Sequence, residues 1–355
     1  MIVKNEAAVI GRCLDSVRGL ISHWVVVDTG STDGTQALVR KQLKRVPGEL
    51  HERPWRDFAH NRTEALELAR RHADYTLIID ADDVLEVPKG YRLPRLTADA
   101  YALDIEHGPV RYQRLQIVRN ALPWRYVGVL HEYLTCEGAG AAGRLPVLYR
   151  MHFDGARRRD PKTYASDVEM LERALKVETD PALRSRYSFY LAQSYRDAGD
   201  RKKALRHYLA RAELGGWADE VYVSLLEAAR LEEALKSRER HVVAAYERAA
   251  AAAPARAEAL HGLARYCRER KLYAEGYGYA RAGFKIPLPP GGLFVEPWIY
   301  AWGMLDELAL HAYWTGRYDE ALSACRALLA NAQVPAEHRA RIRANAEYSQ
   351  AKLGR

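Results

Sequence analysis

Short apolar runs alternate with amphipathic helical patterns over the first 155 residues, and this alternation constrains the fold more than any other feature. Residues 24–28 and 75–80 are apolar runs that each end in an aspartate. Such a run is typical of a strand buried on both faces, as in a parallel sheet covered by helices. The alternation predicts an α/β domain with a mostly parallel sheet. Helices are predicted at 10–21, 36–43 and 58–71. Further strands are predicted at 2–3, 100–106, 113–118 and 145–151.

The second part of the chain, residues 156–355, has a different composition. Alanine, leucine, arginine and tyrosine dominate it, and no strand pattern recurs. Small and aromatic residues recur with the spacing of a tetratricopeptide repeat, whose paired helices approach closely where side chains are short. The small-residue anchors are Ala204, Val242, Gly276 and Ala321. We predict a helical-hairpin array, which could bind an extended partner or form a homodimer. An ordinary α-helical domain without a binding groove is the alternative.

The first strong chemical signal is the acidic box Asp80-Ala81-Asp82-Asp83, which follows an apolar strand. Ligands bind α/β sheets at the carboxyl ends of the strands. Several buried acids are costly unless a cation neutralises them, and hard oxygen ligands suit Mg²⁺ or Mn²⁺ bridging a diphosphate. A solvated acidic turn is the alternative.

The second signal is the turn at residues 30–35, which follows Asp28 and opens a helix. Asp28 is placed to hydrogen-bond a nucleoside. The alternative is that the turn glycines and Asp33 serve only the turn and the helix cap. Together the two motifs predict one nucleotide pocket.

Other classes of protein fit less well. The chain has neither a P-loop, a dinucleotide-binding glycine motif nor a hydrolase nucleophile elbow. No apolar run is long enough for a membrane span. The four cysteines form no zinc pattern, so we expect reduced thiols and a cytoplasmic protein. The net charge of +8 allows an anionic ligand, but no nucleic-acid-binding motif accompanies it, and we expect no nucleic-acid partner.

The start of the chain, residues 1–6, together with the turn after Asp28 and the acidic box, resembles family 2 glycosyltransferases of the GT-A fold. The stretches 55–62 and 124–132 resemble the branch that carries C-terminal tetratricopeptide-like helices. That branch includes lipopolysaccharide-core glucosyltransferases and, more distantly, S-glycosyltransferases of bacteriocin peptides. The resemblance covers residues 1–155, which it implies are a GT-A domain, followed by the helical array. Met1 lies inside the first predicted strand, so whether it is the true start stays open.

The resemblance also implies roles for individual residues. One group is expected to bind the nucleotide sugar: Asn5, Glu6, Asp28, Asn61, Arg62, Asp80 and Asp83. Asp82 is expected to ligate the metal, and His152 to complete the metal site. A packed core role is the alternative for His152, and a surface salt bridge is the alternative for Arg62.

The catalytic pair implied by the resemblance is His131-Glu132, with Glu132 as the base. The commoner pair in the family is Glu-Asp or a single Asp, and this difference leaves the identity of the base open. Glu132 could instead pair with an arginine and orient a loop, and Asp104 is a weaker rival.

The sequence thus predicts a metal-dependent, inverting transferase that moves a hexose from a nucleotide sugar to a peptide or glycan acceptor. UDP is favoured because the family favours it. The main alternative is a non-catalytic interaction scaffold with a vestigial first domain. A nucleotidyltransferase is a further rival, but it would usually carry a glycine-rich basic loop where Lys4-Asn5-Glu6 stands.

Overall fold

The computed structural model of the chain describes residues 1–107 and 110–354. The chain divides into two compact units, Met1–Val177 and Glu178–Arg355. The domain boundary expected from sequence lies near residue 155. The first unit extends 22 residues beyond this predicted boundary, to residue 177. It therefore includes two helices from the stretch that the sequence predicts to be the helical array.

The first unit combines helices with three sheets. Its helices are α1 (Ile10–Val17), α2 (Thr35–Gln42), α3 (Phe58–Ala69), α4 (Ala156–Arg159) and α5 (Thr163–Val177). Its strands are β1 (Ile2–Val3), β2 (Trp24–Asp28), β3 (Gly48–Glu52), β4 (Tyr75–Leu77), β5 (Val84–Glu86), β6 (Ala100–His107), β7 (Val110–Arg119), β8 (Arg125–Val127), β9 (Tyr133–Thr135) and β10 (Gly143–Arg150).

The sheets are mixed, which corrects the expectation of a mostly parallel sheet. Strands β1, β2 and β3 form a parallel three-stranded sheet in that order. The five-stranded sheet has the order β4-β7-β6-β10-β5, and within it only β6 and β10 run parallel. Strands β8 and β9 form a separate antiparallel pair. Strands β5 and β7 run opposite to β4, β6 and β10. Strand β7 carries several polar residues, which a strand buried on both faces would not carry.

Helix α1 packs into two of the apolar clusters of the first unit. One contains Ile10, Leu14, Val26 and Val39 and joins α1 and α2 to the three-stranded sheet. The other contains Cys13, Ile79, Leu103, Ile105 and Tyr149, among others, and packs α1 against the five-stranded sheet. Helix α1 therefore buries residues of both sheets, and the strand ends that carry the acids are fixed by this packing.

The second unit is helical throughout its described residues. Its helices are α6 (Pro181–Asp197), α7 (Arg201–Glu213), α8 (Ala218–Ala234), α9 (Glu239–Ala252), α10 (Glu258–Glu269), α11 (Tyr273–Phe284), α12 (Met304–Trp314), α13 (Tyr318–Ala330) and α14 (Ala336–Lys352), with a π-helical turn at Ile299–Gly303. Consecutive helices pack against each other along the whole series. This confirms the predicted helical-hairpin array, and the anchors Ala204, Val242 and Ala321 are buried in it.

Candidate nucleotide-sugar site

Asp28 organises the turn that follows β2. Its carboxylate is 1 % exposed, and its Oδ1 accepts hydrogen bonds from the amides of Gly30 (2.9 Å) and Ser31 (2.8 Å). Its Oδ2 is buried and has no hydrogen-bond partner. A buried carboxylate oxygen without a donor is costly. This atom is therefore suited to accept a hydrogen bond from a ligand.

Asn5 and Glu6 lie against the same turn. Asn5 has a positive φ of 58°, its amide donates to Ser31 Oγ (2.8 Å), and its Oδ1 accepts from the Thr32 amide (2.8 Å). The Glu6 carboxylate accepts from the Ala156 amide at 3.0 Å. Burial raises the pKa of Glu6 to about 7, although the Ala156 amide opposes the rise.

The acidic box is anchored by a buried tyrosine. The Tyr149 hydroxyl donates to Asp83 Oδ2 (2.7 Å) and accepts from the Asp80 amide (3.1 Å). The His152 amide donates to Asp83 Oδ1 (2.9 Å). Burial raises the pKa of Asp83 to about 7 against the Tyr149 hydrogen bond, and nearby Asp80 and Asp82 raise it further. Both oxygens of Asp83 thus accept hydrogen bonds from β10 and the residues after it, so Asp83 stabilises the loop.

Arg62 joins Asp80 to Glu132. Its Nη2 donates to Asp80 Oδ1 (2.6 Å), and its Nε lies 2.6 Å from Glu132 Oε1. The guanidinium also lies over the Tyr126 ring, 5.6 Å from its centroid. Burial opposes ionisation of Asp80, but the charges of Arg62 and Arg114 outweigh it and lower its pKa. Burial raises the pKa of Glu132, and Arg62 limits the rise.

The segment 154–156 brings the first strand and the acidic box together. The Gly155 amide donates to Asp82 Oδ2 (3.3 Å), next to the bond from Ala156 to Glu6. Arg12 donates to the Asp82 carbonyl oxygen (2.7 Å) and pairs with the Asp154 carboxylate. Glu6 and Asp82, which are 76 positions apart in the sequence, therefore border one region.

Two expected site residues have structural contacts. Asn61 is fully buried, its Oδ1 accepts from the Arg56 amide (3.0 Å), and its Nδ2 donates to the Pro54 carbonyl oxygen (3.1 Å). These bonds commit the Asn61 amide to the loop before α3. His131, the residue before Glu132, is exposed and has a positive φ of 51°.

A divalent cation fits the chemistry of the acidic box. Burial raises the pKa of Asp82, and the charge of Asp80 adds to the rise. Neighbouring carboxylates raise one another's pKa by repulsion, and a bound cation stabilises their ionised forms. Within the described ranges, neither Asp82 nor His152 belongs to a convergent group of three ligating side chains. An ion at Asp82 would therefore need oxygens from a diphosphate or water as well.

Sequence reasoning missed Tyr149, Arg12, Arg114 and Gly155. Arg114 lies with its guanidinium over the Tyr149 ring, 5.1 Å from the centroid. Tyr149 and Arg114 are on β10 and β7, strands whose pairing could not be deduced from the order of the motifs. Alternation along β10 could have placed Tyr149 on the buried face with Leu145 and Val147.

Comparisons with known proteins place the first part of the chain in a family. Residues 1–121 match the model of glycosyl transferase family 2. The lipopolysaccharide core biosynthesis glycosyltransferase LpsC of Rhizobium meliloti is 36% identical over 99 residues, 28% of this chain and 36% of that protein. The residues that carry the described site up to Asp83 all lie within the family match.

A TPR repeat-containing protein of Synechococcus elongatus is 32% identical over 140 residues, which are 37% of this chain and 34% of that protein. The chain thus spans about a third of the length of these curated relatives. The solved structure of BtubC from P. vanneervenii covers 57% of this chain and 85% of its own, with a TM-score of 0.41 and 16% identity.

None of the helices in the described ranges has the length and apolar character needed to cross a bilayer. The sheet unit matches the family model where the acidic box and the Asp28 turn stand, and antiparallel helix pairs follow it. Residues 1–121 of this chain therefore match glycosyl transferase family 2, and an array of helical hairpins that resembles tetratricopeptide repeats follows them.

Proposed function

We propose that the chain is an inverting, metal-dependent glycosyltransferase that uses a nucleotide sugar, with UDP-hexose as the favoured donor. The ion pair of Arg62 with Asp80 and Glu132 is the observation that carries this proposal. It holds a carboxylate of the acidic box and the candidate base on one guanidinium. A donor bound at Asp80 would therefore lie close to the group that activates the acceptor.

Binding of the donor uses the two polar groups at the strand ends. Asp28 Oδ2 accepts a hydrogen bond from the nucleoside, because it is the buried oxygen that lacks a donor. Asn5 and Glu6 border the nucleotide through the same turn, and Asp80 contacts the ribose or the sugar. Asn61 supports Arg62 by fixing the start of α3.

Glu132 acts as the base, with His131 beside it. It takes the proton from the acceptor hydroxyl or thiol while the acceptor oxygen or sulfur attacks the anomeric carbon. The bond from that carbon to the diphosphate oxygen breaks on the opposite face, and the nucleoside diphosphate leaves. The raised pKa of Glu132 supports the role, since a base is more effective when its pKa approaches the working pH.

Asp82 would hold Mn²⁺ or Mg²⁺, with His152 as a further ligand on the segment that follows β10. The cation supplies charge stabilisation for the leaving diphosphate. Acids with raised pKa values at Asp82 and Asp83 support a cation at this point.

The acceptor is proposed to be a peptide or a glycan. The helical array supports an extended acceptor, because stacked hairpins present long surfaces. The same array could instead form a homodimer. We also propose a cytoplasmic location, which the four free cysteines support. These finer assignments depend on the donor being established first.

Calorimetric titration with UDP-, GDP- and TDP-sugars tests the donor site, in Mn²⁺ and again in EDTA. We expect one nucleotide to bind in Mn²⁺ only, with affinity reduced at least tenfold in Asp82→Asn and in Asp28→Asn. Asp15→Asn is the matched control, since Asp15 forms a surface pair with Arg18.

Absence of binding by every nucleotide sugar to the folded wild-type chain would contradict the transferase and favour the interaction scaffold. Binding of a nucleotide sugar without turnover on peptide and glycan acceptors would support the donor site but contradict both proposed acceptor classes.

A further inference from the structure

A cluster of histidines and a glutamate lies at the amino ends of the parallel strands. His23 immediately precedes β2, Glu49 is on β3, and His72 follows α3. One potential ligand atom from each of the three lies within 4.8 Å of the others, and no other trio in the described chain meets this condition. Asp28 is at the opposite end of β2, about 16 Å along the strand. The cluster is therefore separate from the acidic box.

The side chains are already in contact. His72 Nε2 lies 3.3 Å from Glu49 Oε1, and His51 Nε2 lies 2.8 Å from Glu49 Oε2. The rings of His23 and His72 are nearly parallel, with centroids 3.9 Å apart. His23 Nε2 is buried and has no hydrogen-bond partner. A nitrogen lone pair is thus available on His23.

The donor set is that of a borderline metal ion. Neutral imidazole nitrogen and carboxylate oxygen bind Zn²⁺, and two histidines with one glutamate leave a fourth position for water. His51, hydrogen-bonded to the other oxygen of Glu49, would orient that ligand.

The cluster is partly open to water. The side chains of His72 and Glu49 are 20 % and 34 % exposed. On the inner side, His23 and His72 line an apolar cavity of about 370 Å³. An apolar shell on one side and solvent access on the other leave room for a water as fourth ligand.

We propose that His23, Glu49 and His72 form a zinc site that cross-links β2, β3 and the end of α3. The bound ion would join three elements at the end of the sheet away from the acidic box. An ion that binds the folded chain but not the unfolded chain would stabilise the first unit. This proposal does not depend on sugar transfer.

Zinc retention by the full chain tests it. The chain is stripped with a chelator, exposed to a small excess of Zn²⁺ and desalted, and its zinc content is measured by elemental analysis. We expect one zinc per chain in the wild type, in Asp82→Asn and in His60→Asn, which removes an exposed histidine of the same unit. His72→Asn and Glu49→Gln should each lower the affinity for Zn²⁺ at least 100-fold.

Substitution with Co²⁺ gives a second readout. We expect the visible bands of a four-coordinate cobalt ion in the wild type and in Asp82→Asn, and their loss in His72→Asn. Circular dichroism of each variant shows that it is folded. A folded wild type that retains no zinc, or equal retention in wild type and both ligand variants, would overturn the proposal. Loss of zinc in Asp82→Asn alone would assign the ion to the acidic box and overturn it too.

Discussion

Arg62 is the cation that links the acidic box to Glu132. It pairs with two carboxylates, and its own pKa is raised, because Asp80 and Glu132 outweigh the effect of burial. The side chains of Arg62 and Glu132 are only 16 % and 11 % exposed. Solvent therefore cannot replace the guanidinium if it is removed.

Replacement of Arg62 by methionine should destabilise the fold by about 3 kcal/mol, because two buried carboxylates lose their cation. Urea unfolding at neutral pH measures the loss. Arg53→Met is the matched control, since the Arg53–Glu64 pair is more exposed and should cost about 1 kcal/mol or less. Adding Glu132→Gln to Arg62→Met should restore part of the stability. Equal losses in the two single variants would contradict the assigned role.

Gly155 leaves no room for a side chain beside Asp82. A Cβ there would lie 2.8 Å from Asp82 Oδ2. The Asp82 carboxylate can rotate away, so Gly155→Ala should change stability by less than about 1 kcal/mol. It should weaken Mn²⁺-dependent donor binding at least tenfold, because the proposed ligand is displaced.

The control for Gly155→Ala is Gly19→Ala, because a Cβ at Gly19 meets nothing within 4 Å. Calorimetric titration with Mn²⁺ and the nucleotide found to bind compares the two variants. Unchanged donor binding in Gly155→Ala would argue against Asp82 as a ligand.

The sequence was informative about the site where side chains follow a strand directly. Asp28 and the acidic box could be placed at strand ends from their apolar runs alone. Pairing of Glu132 with an arginine was an alternative from the sequence, but Arg62 could not be identified as the partner, because it lies on α3, 70 positions earlier. Likewise, Tyr149 reaches Asp83 only through the pairing of β10 with β5.

At the scale of elements, the helical hairpins depend on small residues at the crossing points. Gly276 on α11 faces the buried His311 of α12, and a Cβ there would come within 2.0 Å of the imidazole ring. His311 lies between two backbone carbonyl oxygens, with Nε2 2.9 Å from that of Ala264 and Nδ1 3.2 Å from that of Tyr273, so the ring has little room to move. Three helices are fixed by this contact.

Gly276→Ala should therefore destabilise the second unit by about 1–3 kcal/mol through overpacking. Gly278→Ala, two positions along α11, should stabilise it by up to about 1 kcal/mol, because a Cβ there meets no atom within 4 Å and alanine favours the helix. Thermal unfolding followed by circular dichroism compares the variants. The same sign of change in both would show that helix propensity, and not the contact with His311, decides the effect.

The elements themselves were predictable to different degrees. The predictions of β2, α2 and α3 are confirmed within two residues, since each has a continuous or periodic apolar pattern. Strand β3 was not predicted, because Leu50 is the one aliphatic residue in Gly48–Glu52 and its other side chains are polar. The mixed five-stranded sheet was not foreseen, because strand direction depends on which strands pair and not on any one run.

At the scale of the whole molecule, the two units contain groups with opposite pH dependence. Burial raises the pKa of Glu6 in the first unit to about 7. Burial lowers the pKa of His261 in the second unit to about 4, and nearby arginines contribute. Between pH 4.5 and about 7, Glu6 keeps a proton in the folded chain that it releases on unfolding. Between about pH 4 and 6.5, His261 takes up a proton only on unfolding.

Stability from Glu6 is full below pH 4.5 and is lost as the pH rises through about 7, because ionisation is opposed only in the folded state. Stability from His261 is full above pH 6.5 and is lost as the pH falls towards about 4, because the unfolded form alone takes up the proton. The difference in free energy of unfolding between Glu6→Gln and wild type should be about 1–2 kcal/mol more favourable at pH 7.5 than at pH 4.5. For His261→Gln the difference should be similar in size and more favourable at pH 4.5. Urea unfolding of the three proteins at both pH values measures these differences, in which the other titrating groups cancel. If both variants were stabilised relative to wild type at the same pH, the pKa of Glu6 or of His261 would be shifted in the direction opposite to the one that its surroundings impose.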